Sequence, residues 1–115
     1  MIRVAEEYAR ISLTFYGSND LLQRLLTFGG VLSARGHWSM SWALEPGTTP
    51  ESVIEQATQF LDSNADRMIE VARSCNVAFT ISWTPHEFQD SLAVNSALVS
   101  SLAKLTAIIL VDTYT

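Results

Sequence analysis

Five carboxylates recur at four-residue steps in two runs, Glu51 and Glu55, then Asp62, Asp66 and Glu70. Paired carboxylates can do acid–base chemistry, or they can form a charged surface for a basic partner. On a helix this spacing lays them on one stripe, where like charges four apart cost a few tenths of a kcal/mol per pair. The plain reading is a solvated helix face. The functional reading is a surface kept acidic to bind something basic, since only Arg67 and Arg73 lie near it along the chain.

Other chemistry is harder to assemble. His37, His86 and Cys75 are the imidazoles and the thiol of the chain. Zinc needs three or four ligands, and these residues do not cluster in sequence. His86-Glu87 begins like a zinc-protease helix but follows Pro85 and lacks the second histidine. No metal and no cofactor are expected. There is no Gly-x-Ser-x-Gly elbow; His37 shares a strand face with Ser39 and Ser41, an arrangement that the small polar residues of an exposed strand face explain. Cys75 follows an apparent helix C-terminus, which disfavours the thiolate, so it reads as structural. No catalytic residue is assigned, and the chain reads as non-enzymatic. The alternative is a sensor or enzyme with Tyr16, His37, Asp112 and Tyr114 around a pocket at one end of a sheet.

These side chains have to be held by strands and helices. Four runs alternate apolar and polar residues, at positions 10–16, 37–45, 77–84 and 106–115, and period-two alternation marks strands with one buried face. Ile11, Leu13 and Phe15 point inward in the first, Trp38, Met40, Trp42 and Leu44 in the second, and Val77, Phe79, Ile81 and Trp83 in the third. The three tryptophans are therefore core residues rather than stacking platforms for bases, which would be exposed and flanked by Arg or Lys. The last run is apolar on both faces and reads as a central strand, or one paired across a partner. If Ile109 and Val111 face the core, Ile108, Leu110 and Tyr114 add an apolar band to an otherwise small-polar sheet face, a candidate interface.

Between the strands, Leu21, Leu22, Leu25 and Leu26 have helical spacing, and Gly29-Gly30 stops them. Thr49-Pro50 opens the longest helical segment, residues 50 to 74, with a break expected near Ser63-Asn64 because Asn64 falls on the apolar arc. Pro46-Gly47 and Pro85 end their strands. Asn95 caps a last helix carrying Leu98, Val99, Leu102 and Leu105. The elements predict an α+β fold: a four- to five-stranded, largely antiparallel sheet with helices packed on one face, formed by residues 1–115 as a single domain.

At 115 residues, with 48% hydrophobic and 17% charged, the chain suits a folded globule. Twelve acidic against seven basic side chains give a net charge of −5, which repels phosphate backbones and attracts a cationic protein. No nucleic-acid partner is expected. No membrane contact is expected either, because the longest apolar run is far short of the ~20 residues a spanning helix needs. The N-terminal residues lack a signal-peptide core and Cys75 stands alone, so a cytoplasmic setting is expected.

Trp38-Ser39-Met40-Ser41-Trp42, the helix after Pro46, Ile81-Ser82-Trp83 and the ending Leu110-Val111-Asp112-Thr113-Tyr114 together resemble a bacterial and phage family of small proteins, domain of unknown function four-two-seven-nine. The resemblance runs from about Ala9 to Tyr114. It implies a bacterial α+β domain and supplies no activity or site residues. The leading expectation is an acidic protein-binding module, an immunity or inhibitor protein neutralising a basic toxin or nuclease. A structural homodimer, joined through the closing strand or the sheet face, is the further alternative.

Overall fold

The computed structural model describes residues 8–45, 48–84 and 92–113. The turn at Pro46-Gly47, the strand end at Pro85, and His86, Ser91 and Tyr114 lie outside the described residues. In chain order the elements are β1 (Tyr8–Tyr16), α1 (Asn19–Leu22) running into a 3₁₀ segment (Gln23–Phe28), β2 (Val31–Ser33), β3 (His37–Ala43), α2 (Pro50–Ala72), β4 (Asn76–Thr84), α3 (Ser96–Lys104) and β5 (Ile108–Thr113).

Five strands form one mixed sheet in the order β2-β3-β1-β4-β5. The neighbours are antiparallel except β4 and β5, which run parallel with α3 as their crossover. This is the expected α+β architecture. Alternation decides which face each strand buries: Ile11, Leu13, Phe15, Phe79 and Ile81 meet Val53, Ala57, Leu61, Met68, Leu98 and Leu102 in one core. Trp38 is fully buried, packs edge-on against Phe15 with centroids 5.7 Å apart, and its Nε1–H donates to the Gly29 carbonyl at 2.9 Å. Trp83 is buried too. Trp42 is only half-buried, with Met40 and Leu44, because β3 is one strand from the sheet edge; its ring rests 5.5 Å from that of Phe60.

The fifth strand within the expected range is β2, which alternation could not reveal in three residues; it forms a hairpin with β3 around Ala34-Arg35-Gly36, where Gly36 sits at φ 86°. Two expectations change. α2 does not break near Ser63-Asn64. The Asn64 side chain instead donates to the Phe60 carbonyl at 2.8 Å, one turn back, so an amide on the apolar side is satisfied within the helix. The closing strand is not central: β5 is an edge strand with every residue exposed.

The ends of α3 set up that edge. Asn95 Oδ1 accepts from the Leu98 N–H at 2.8 Å, and its Nδ2 donates to Thr58 Oγ1 on α2 at 3.0 Å, so one cap also fastens two helices. At the other end the Ala107 N–H donates to the Leu102 carbonyl and the Thr106 N–H to the Ala103 carbonyl. That is a Schellman closure, with Thr106 at φ 53° in the place glycine normally takes.

Candidate functional site

Because α2 is continuous, its carboxylates form one unbroken stripe. Four residues turn a helix 40° beyond a full turn, so Glu51, Glu55, Asp62, Asp66 and Glu70 share an arc of about 100° and run for about 28 Å along the axis. All five are exposed. Asp66 faces Lys104 of α3, Nζ to Oδ1 3.3 Å, the one ion pair among the described residues. Gln59 donates to Glu55 at 3.3 Å. Of the two basic residues near the stripe in sequence, Arg67 is drawn the other way, its guanidinium carbon 4.9 Å from the Phe28 ring centroid, and Arg73 sits at the C-cap of α2. Lys104 was invisible as a partner because 38 residues separate it from Asp66. A solvent-exposed pair of this kind contributes little to stability and leaves most of the stripe's charge in place.

The face of the sheet away from the helices is built from rows of paired residues. Tyr16 lies opposite His37 on one side and Asn76 on the other, with the Tyr16 and His37 rings 5.9 Å apart. Successive rows bring Thr14 beside Ser39 and Ala78, Ser12 beside Ser41 and Thr80, and Arg10 beside Ala43 and Ser82. Ser12 and Ser41 are linked through their hydroxyls at 3.0 Å. Asp112 pairs with Ser82 and so belongs to the Arg10 row. It stands six residues along β4 from the Tyr16–His37 row, roughly 20 Å at ~3.3 Å per residue. The structure therefore does not gather Tyr16, His37 and Asp112 at one sheet end; the register separates them, and Tyr114 is outside the described residues.

Cys75 touches the start of β1's following turn, where a methyl on Gly17 would come within 2.8 Å of its Sγ. Burial pushes its thiol up, which lowers the thiolate fraction and suits a packing role. Among the described residues no three His, Cys, Asp or Glu side chains form a group able to hold a metal, and no helix is long and apolar enough to cross a membrane.

β5 is the feature whose importance the alternation understated. Its register with β4 places Ile109 and Val111 on the helix side, level with Phe79 and Ile81, and Ile108 and Leu110 on the open side. The helices stop short of it, so Ile108, Ile109, Leu110 and Val111 are 62%, 43%, 49% and 61% exposed. The orientation is the one that adds an apolar band to the open face, yet the two helix-side residues remain uncovered as well.

No protein-family profile, curated protein or solved structure matches the chain.

Proposed function

We propose that this chain is a small acidic protein-binding module whose partner is a basic protein, bound along the outer face of α2. The observation that carries the reading is the stripe: five exposed carboxylates on one helix face, of which Asp66 has a basic partner. Folding gains little from it: Glu51 suits the first turn of α2 and Asp66 meets Lys104, but i,i+4 carboxylates repel and all five sit in water. Binding does gain. A row of like charge steers a cationic surface into contact and mimics the charge of a phosphate backbone. An immunity or inhibitor protein that neutralises a bacterial toxin or nuclease in the cytoplasm is the member of this class that the acidity and small size favour.

The test is charge reversal of Glu55, Asp62 and Asp66 to lysine in one chain. The affinity for the basic partner should fall by two orders of magnitude or more, with a weaker salt dependence, while the melting temperature holds. Equal affinity of the triple variant and the parent would remove the stripe as the interface.

A further inference from the structure

We propose that β5 is the self-association edge of the protein: two copies pair their β5 strands antiparallel about a two-fold axis through Leu110, joining two five-stranded sheets into one of ten.

The edge is built unlike a protected one. Proteins guard sheet edges by keeping them short, or with lysine, proline or a bulge. The opposite edge, β2, is three residues long. β5 is six residues long, has neither lysine nor proline, and is apolar toward both faces. The exposed parts of Ile108, Ile109, Leu110 and Val111 come to on the order of 400 Å², a patch of the size that marks an interaction site on a monomer. Asp112 and Thr113 are exposed too and extend this surface toward the ~600–800 Å² that a stable interface takes from each side.

The occupant follows from self-complementarity. With Leu110 on the axis, Leu110 meets its own copy and Ile109 meets Val111 of the second copy on the helix side. This gives the two uncovered helix-side residues the apolar neighbours that their own helices do not supply. The one charge of the strand also falls in place. Asp112 lies opposite Ile108 of the second copy on the open side, so the two Asp112 side chains stay ~13 Å apart along the strand and no like charges meet. A shift that set Leu110 against Asp112 would lose both features. β5 and the acidic stripe of α2 share no residue, and the two proposals stand or fall separately.

Sedimentation equilibrium of the full chain, from low to high micromolar concentration, tests it. The parent should form a dimer. Leu110→Lys sets like charges face to face on the axis and should raise the dissociation constant about a hundredfold, with circular dichroism reporting the fold. In a Cys75→Ser background, Leu110→Cys should be trapped as a covalent dimer on oxidation, since cross-strand Cα atoms lie ~4.5–5.5 Å apart, within disulfide reach. A parent that stays monomeric throughout overturns the proposal, including the case where β5 receives a strand of another protein. A dimer that is indifferent to Leu110→Lys, or that Leu110→Cys does not trap on oxidation, overturns it equally.

Discussion

Gly29 and Gly30 stand side by side at φ 95° and 77°, but they differ in what surrounds them. A methyl on Gly29 would meet only Met40 Cε, at an ordinary 3.5 Å. On Gly30 it would lie 2.7 Å from both the Trp38 ring and the Ser39 carbonyl oxygen. Gly29, with ψ −149°, holds a backbone conformation essentially reserved for glycine, so Gly29→Ala should cost ~2–3 kcal/mol through the backbone alone, and Gly30→Ala should cost at least as much because it adds a clash with a fully buried indole. Chemical denaturation of the two variants checks this; a smaller loss at Gly30 than at Gly29 would mean that the indole yields freely. At this scale the sequence spoke clearly about polarity and poorly about company. The inward placement of Trp38 and the helix stop at Gly29-Gly30 were readable from local pattern. That Trp38 also donates to Gly29, and that Lys104 reaches Asp66, depends on pieces of chain brought together only by the fold.

Among the elements, those with long, strongly periodic patterns were the legible ones. β1, β3, β4 and α2 each carry enough residues for a period of two or 3.6 to declare itself. β2 does not, and its presence rests on the Gly36 turn and on pairing with β3. The break expected in α2 fails for a simple reason: a helix interior tolerates an asparagine whose amide bonds back to the preceding turn. The junction between α3 and β5 carries a conflict of its own. Thr106, β-branched and exposed, occupies a left-handed position that glycine would hold without strain. Thr106→Gly should raise stability by ~1 kcal/mol, read as an increase in melting temperature. A decrease would show that the threonine side chain supports the turn in a way its exposure conceals.

For the molecule as a whole, helices on one face of a sheet leave three surfaces for function: the outer side of the helical layer, the open face and the edges. Charge belongs to the first, small polar residues fill the second, and apolar residues mark one edge. The α+β class could be read from the order of periodic segments. The strand order could not, because alternation says which way a side chain points and nothing about its neighbour. An edge strand with two apolar faces and a central strand therefore look identical until the topology is known, which is why alternation reads β5 as either central or paired across a partner. If the stripe on α2 is the partner surface, raising ionic strength should weaken binding by the parent far more than by the triple lysine variant, measured by titration at several salt concentrations.

β5 has a single neighbour in the chain that carries it. A last strand zipped along one side, with no helix laid across it, is where a fold opens first, so its amides should trade hydrogen for deuterium faster than those of β1, which is laced on both flanks. Dilution sharpens the expectation. Exchange in residues 108–113 should accelerate as the protein is diluted while β1 keeps its pace, making the C-terminal ribbon a gauge of how often two molecules hold hands.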